Sequence, residues 1–416
     1  MPRRSKPTGP STSTALTRGA SATEPSKPTP IEQPIQFDFL AQQDERVTKI
    51  LRFWDHVPWA VLYKHDVMRS GAYLKMVTRA FDVGGRLHQL QMTPARLVRD
   101  GQELDDYPGD REQLIELAIR RLAAMKREFR LHRKNASNVI GSKVVEVVAL
   151  NLGIYEIQNE LKRNGHEYNY TQILESIDIL NKTHCSITAY DTDQDGDGVA
   201  HVMNGPIFTQ VYFTRNDKEE KNAAMRVTIH VNSLVADAIR GLDFYDVSYE
   251  ALMKLKPVSR WIFKRLHHAM VFPTSNEDPR IQTIRASTIL AYSGMGEYAR
   301  LRDALKQIMI YLDDLKRNGI IEEIMAEDEW EGSGRSKRKA DVSYTIRMSE
   351  EFYRQSIQAQ QSRIEALTDF RDITGQATPE VWTPATPTAR LEVAKRRTSR
   401  RTKGTSDLPL FGSVQD

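Results

Sequence analysis

Leu255-Lys256-Pro257-Val258-Ser259-Arg260-Trp261-Ile262-Phe263 reads as the start of a helix. Pro257 falls in its first turn, where a backbone N–H has no helical acceptor to lose. The spacing then predicts a short helix over 285–292, stopped by Ser293-Gly294, and a longer one over 297–318, stopped by Gly319. Two alternating stretches, 320–331 and 342–348, read as hairpin strands joined by a loop over 332–341. Arg335, Lys337, Arg338 and Lys339 make that loop suited to face phosphates. Three helices followed by a two-stranded hairpin are the parts of a winged helix-turn-helix, a module that points to duplex DNA.

The same order occurs once more upstream. A helix over 110–129 carries Leu114, Leu117, Ala118, Leu122 and Met125 at three- and four-residue spacing, which predicts an amphipathic helix with its Arg and Lys outside. A β-branched run over 144–150 precedes helices over 155–163 and 170–182, and a hairpin is expected from 184–190 and 199–211. Residues 212–254 join the copies through a charged loop, a strand at 226–231 and a helix near 234–239. The stretch 47–101, with Phe53-Trp54, Pro58-Trp59 and Leu62-Tyr63, reads as an extension packed on the first copy.

The expected fold is therefore α+β, with two tandem winged helix-turn-helix domains. These span 46–219, including the N-terminal extension, and 220–370, including a C-terminal helix over 349–370. Residues 1–45 are rich in Ser, Thr, Pro and Ala and read as a disordered arm. Residues 371–416, with Thr378-Pro379, Thr383-Pro384 and Thr386-Pro387 and a basic run over 395–403, read as a disordered tail.

Composition excludes several classes. At 416 residues and 40% hydrophobic content the chain has room for two or three ordinary cores. The formal charge is only +4, so a nucleic-acid surface must come from local clustering of cations. The single cysteine, Cys185, excludes an internal disulfide framework and a Cys-rich zinc site and is expected in a core. No apolar run is long enough for a membrane helix, and the N-terminus lacks the apolar stretch of a signal peptide, so a bacterial cytoplasmic location is expected.

Residues 100–348 resemble plasmid replication initiators of the TrfA and Rep tandem winged-helix type. The resemblance rests on the order of helices, on Leu255-x-Pro257-x-x-Arg260 and on Leu315-x-x-x-Gly319-Ile320, and is best over 103–124, 227–261 and 284–323. It implies a protein that binds directly repeated iterons at an origin, helps to open the duplex, and recruits the host initiator, the replicative helicase and the sliding clamp. Monomer and homodimer both stay open at the level of the sequence. No catalysis, cofactor or metal is implied. The alternative is a sequence-specific winged-helix transcription regulator, because one fold serves both uses.

In such a module the start of the third helix enters the major groove. Tyr298, Arg300, Arg302 and Lys306 are therefore the candidate DNA contacts of the second domain, together with the loop cations Arg335, Lys337, Arg338 and Lys339. A solvated face with ordinary ion pairs, such as Arg302 with Asp303, is the competing reading of the helix cations. Asn169, Tyr170, Thr171 and Gln172 are the equivalents in the first domain. Arg260 reads as an internal brace. The tail segment Asp407-Leu408-Pro409-Leu410-Phe411 resembles the pentapeptide by which bacterial proteins dock on the sliding clamp, with Leu408, Leu410 and Phe411 as the apolar contacts.

Other chemistries find little support. Asp191-x-Asp193-x-Asp195-Gly196 begins like a calcium loop, but Val202 stands where the bidentate Glu is needed, and a polar turn fits better. The adjacent pair His267-His268 lacks the spacing of a nicking enzyme's metal pair. Gly332 to Lys339 lacks that of a phosphate-binding loop.

Overall fold

The computed structural model describes residues 46–374 apart from 63–68, 71–72, 127–128, 136–143, 191–198, 215–224, 272–277, 297, 299 and 333–336. The fold is mixed α+β with antiparallel open sheets and no barrel among the described residues. It begins with β1 (Val47–Leu51), β2 (Arg69–Ser70), β3 (Tyr73–Leu74), and the hairpins β4 (Val77–Val83) with β5 (Arg86–Thr93) and β6 (Ala95–Arg99) with β7 (Gln102–Asp106). Helix α1 (Asp110–Lys126) leads to β8 (Phe129–Asn135) and β9 (Val144–Gly153). Next come α2 (Ile154–Arg163), α3 (Tyr170–Lys182), β10 (His184–Tyr190), β11 (Val199–Pro206) and β12 (Phe208–Thr214). The middle of the chain forms β13 (Arg226–Val231), α4 (Ser233–Arg240), β14 (Phe244–Ser248) and α5 (Tyr249–Lys254). Then follow α6 (Pro257–Val271), β15 (Ile281–Arg285), α7 (Ala286–Tyr292), α8 (Leu301–Arg317), β16 (Ile321–Glu331), β17 (Arg338–Met348) and α9 (Glu350–Thr374).

Two four-stranded sheets run in the orders β11-β10-β5-β4 and β12-β13-β9-β8, and a three-stranded sheet runs β15-β17-β16. The extension at 47–101 thus does more than pack on the first unit: β5 pairs with β10 from His88 to Thr93 and widens its hairpin into a sheet. The single strand expected over 199–211 is two. β11 pairs with β10 as far as Pro206, which has no N–H to continue a ladder, and β12 turns to pair with β13 in the other sheet. The division expected near residue 220 falls between those two neighbouring strands.

One core gathers Leu114, Ile115 and Ala118 of α1, Ile157 and Leu161 of α2, Ile173, Ile177 and Leu180 of α3, and Val227 and Ile229 of β13. A second gathers Ile262, Phe263 and Leu266 of α6, Ile289 of α7, Ile308, Leu312 and Leu315 of α8, and Val342, Tyr344 and Ile346 of β17. Helix α1 lies between them, since its Leu117 belongs to the second core.

That position corrects the expectation that α1 turns its cations outward. Arg120 and Arg121 are 8% and 5% exposed. A helix covered on both sides leaves long cationic side chains no route to water, so they need internal carboxylates. Arg120 makes a two-pronged pair with Asp55, at 2.8 and 2.9 Å, and Arg121 pairs with Glu160 at 3.0 Å. Arg260 of α6 braces the junction as expected. It donates to the carbonyls of Leu252 and Leu255 and to Asp110 and Gln113 of α1.

Candidate nucleic-acid interface

Helix α8 is positioned by its two ends. Before it, α7 stops at Ser293, and Gly294 follows with φ +83°. A Cβ there would lie 2.7 Å from the Ala60 carbonyl oxygen, so only glycine fits this close approach. The Arg79 guanidinium clamps the same place, donating to the carbonyls of Pro58 and Ala60 at 2.6 Å. After it, Gly319 takes φ +71° and the Asn318 amide donates to the Asp314 carbonyl, ending the helix. One face of α8 buries Ala304, Ile308, Leu312 and Leu315. The opposite face leaves Arg302, Asp303, Lys306, Ile310 and Asp313 in water.

The helix starts four residues later than expected. Gly296 supplies no side-chain oxygen to cap a start at Glu297, and the chain stays extended at Arg300, with φ −131° and ψ 129°, before turning helical at Leu301. Tyr298 and Arg300 therefore belong to the exposed approach to the helix, and Arg302 and Lys306 to its first two turns. Arg302 has a side chain 82% exposed and only a 3.8 Å approach to Asp303, a pair worth little at such exposure. Among the described residues neither Arg300 nor Lys306 has an ion-pair partner. Two of these residues thus precede the element and two lie on its first turns, all four exposed.

The hairpin β16–β17 departs further from expectation. Arg338 and Lys339 lie on β17 rather than in a loop, because the ladder continues to the pair Glu331 with Arg338. Strand β16 carries Glu322, Glu323, Glu327, Asp328, Glu329 and Glu331, so the cations beside it find carboxylates at home. Arg338 pairs with Glu331 at 2.9 Å, Lys339 with Asp328 at 2.7 Å, and Arg285 with Glu329 at 3.1 Å. Lys337 has no such partner among the described residues, and its ammonium sits 5.1 Å from the centre of the Trp330 ring. Arg335 lies outside the described residues. Trp330, half exposed at 52%, was not a sequence candidate. Alternation placed it on a strand, but the bulge between Glu329 and Trp330 that decides its direction carries no sequence signal.

In the first unit the candidate residues have other duties. The Asn169 side chain accepts from the Gln172 N–H and the Gln172 side chain accepts from the Asn169 N–H, each at 2.9 Å, a reciprocal cap of α3. Tyr170 is half-buried and packs beside Tyr155, ring centres 5.7 Å apart. Thr171 is exposed without a described role. Farther along, the hairpin β6–β7 lies on α3: Ala95 and Leu97 pack against Ile179, and Arg99 and Arg111 hold Glu175 at 2.6 and 2.9 Å. Much of that helix's outer surface is thereby covered.

Between the units lies a buried cluster of charge. Asp55 accepts from Arg120 and from Lys264 of α6 at 2.6 Å, and Glu116 lies 2.8 Å from Arg120. Although burial opposes ionisation, the two cations hold the Asp55 carboxyl well below the usual carboxylate range, whereas burial raises Glu116. Close by, burial lowers the imidazoles of His56 to about 4 and His267 to about 3, and lowers that of His268 as well. Cys185 is buried as expected, its thiol pushed up to about 12 by burial. Among the described residues no helix is long and apolar enough to cross a membrane, and no group of His, Cys, Asp and Glu is arranged to hold a metal ion. The clamp-like residues Leu408, Leu410 and Phe411 lie outside the described residues.

No protein family matches the chain, and no curated protein does. Among solved structures it is similar to domains 2 and 3 of RctB, at 9% identity and TM-score 0.42 over 71% of this chain and 97% of that one. A second structure of RctB domains 2 and 3 matches at 10% identity and TM-score 0.36, over 72% and 98% of the two chains. The Pi initiator protein in complex with iteron DNA matches at 10% identity and TM-score 0.31, over 49% and 82%.

Proposed function

We propose that this chain is a non-catalytic replication initiator that binds repeated sites in duplex DNA, with two winged helix-turn-helix units of unequal duty. The observation that carries the reading is the exposed start of α8, where Tyr298 and Arg300 on the approach meet Arg302 and Lys306 on a helix whose other face is locked into a core. A helix of this kind presented to the major groove lets arginine pair with guanine through two hydrogen bonds, while lysine at the next turn neutralises a phosphate. The second unit reads sequence. The first unit, with its helix capped and largely covered, adds weaker backbone contact around Thr171.

The wing of the second unit contributes less charge than its composition promises, because Arg338 and Lys339 are held by the acidic strand beside them. Lys337 is its phosphate contact, joined by Arg335. The iteron DNA bound by the Pi initiator is proposed as the ligand class here too. Opening of the origin with the host initiator, and recruitment of the replicative helicase and of the sliding clamp through Leu408, Leu410 and Phe411, complete the proposed role.

The test is a mobility shift with the full chain and a fragment carrying the repeats upstream of its own coding region. Binding at low ionic strength that survives excess random duplex supports the reading. No shift at low ionic strength, or equal competition by random duplex, removes it.

A further inference from the structure

Trp330 belongs to none of the buried cores. It sits next to the end of the β16–β17 hairpin, beside the final backbone pair Glu331 with Arg338, and outside the second core. Half of its surface is in water, whereas the other described tryptophans with large buried area, Trp54 and Trp59, are 1% and 5% exposed and stack on each other at 6.1 Å. The bulge between Glu329 and Trp330 breaks the alternation of the strand at this residue and re-aims its side chain. Two ammonium groups flank the ring, Lys337 at 5.1 Å and Lys339 at 6.0 Å from its centre. Lys339 is bound to Asp328, which leaves Lys337 as the cation able to leave the ring for another anion.

An exposed indole beside a lysine with no carboxylate partner among the described residues, at the outer end of a hairpin, has the chemistry of a nucleic-acid wedge. Its flat apolar face packs on a deoxyribose or an unstacked base, and the lysine meets the adjoining phosphate. We propose that Trp330 enters the minor groove next to the site read by α8 and leans on a base step there, with Lys337 on the flanking phosphate. This rests on the duplex-binding reading above and deepens it. It adds a contact that carries preference by deformability: steps that unstack easily, pyrimidine followed by purine, accept the ring at lower cost than stiff ones. A wing that works by an aromatic wedge is also compatible with its excess of carboxylates over cations, which would weaken a wing that relied on phosphate attraction alone.

The experiment uses the full chain and a duplex selected by it from a random pool, cleaved by hydroxyl radicals, which attack the deoxyribose hydrogens that line the minor groove. A flanking step is expected to be protected in the complex of the parent chain and to lose that protection in Trp330→Ala. Trp330→Ala should lower affinity for the selected duplex about tenfold, with Trp330→Phe retaining binding to within about threefold. Thermal unfolding of each variant shows whether the fold is kept. Equal protection of that step in Trp330→Ala, with this variant binding as tightly as the parent chain while Arg302→Ala is impaired, overturns the wedge and leaves the duplex reading intact. If the pool yields no bound duplex at all, the duplex reading itself is lost.

Discussion

Helices α1 and α8 are both 17 residues long and both carry arginines, yet they use them in opposite ways. On α1, Arg120 and Arg121 are enclosed and held by Asp55, Glu116 and Glu160. On α8, Arg302 stands in water with one loose neighbour. The difference lies in how many sides of the helix are covered. Two cores meet at α1, so its cations must find partners inside, and they become part of the joint between the units. One core meets α8, so its cations remain available to a ligand. A count of basic residues cannot separate the two cases, whereas the number of packed faces can.

The largest expected effect lies on α1. Arg120→Met leaves Asp55 buried with Lys264 alone, and the loss of one partner from such a cluster costs about 3–5 kcal/mol, readable as a lower midpoint in urea unfolding. Arg302→Ala should change the same midpoint by no more than about 0.5 kcal/mol. Similar losses in both variants would erase the contrast between the helices.

The pH response of the joint comes next. His56, His267 and His268 are held neutral by burial, below their unfolded range. Their stabilising contribution is whole above the ordinary histidine value of about 6.5, and it is lost as pH falls from there towards the folded value, about 4 for His56. From His56 alone the loss over that window is about 3 kcal/mol. Asp55 acts in the same sense but only below the usual carboxylate range, whereas Glu116, raised by burial, gains stability as pH falls through its folded value and offsets part of the histidine loss. Unfolding free energies that stay flat from pH 7 to pH 4 would contradict this account of the joint.

The third effect sharpens the comparison on the DNA side. Arg302→Ala should weaken binding to the selected duplex by about 1–3 kcal/mol without a matching loss on random duplex, as expected for a base-edge contact. An equal loss on both would make Arg302 a phosphate contact. The smallest effect belongs to the first unit: Asn169→Ala removes the cap of α3 and should cost about 1 kcal/mol of stability while leaving the preference between selected and random duplex unchanged. A change in that preference would return α3 to the groove.

The elements themselves could be read closely from the sequence. Periodicity and stop signals placed α3 at Tyr170–Lys182 and β13 at Arg226–Val231 to the residue, and Pro257 marked the start of α6. Local rules suffice where local chemistry decides. They fail where partners are distant in sequence. The pairing of β5 with β10 links residues about one hundred apart, and the change of sheet at Pro206 depends on which strand waits alongside. The candidate site shows the same limit. Tyr298, Arg300, Arg302 and Lys306 came from the position of a helix after a turn, and they do share one exposed end. Sequence places Arg338 and Lys339 in a loop that begins at Gly332, but cross-strand pairing with Glu331 and Asp328 engages them. Asn169 and Gln172 carry a capping box in plain view, and that local use explains them without DNA.

The central claim is that α8, and not α3, reads base sequence. A competition between the selected duplex and random duplex, run on the parent chain, on Arg300→Ala with Arg302→Ala, and on Asn169→Ala with Thr171→Ala, tests it directly. The account predicts that the preference collapses in the α8 pair and persists in the α3 pair. Persistence in the α8 pair, or collapse in the α3 pair, would contradict it.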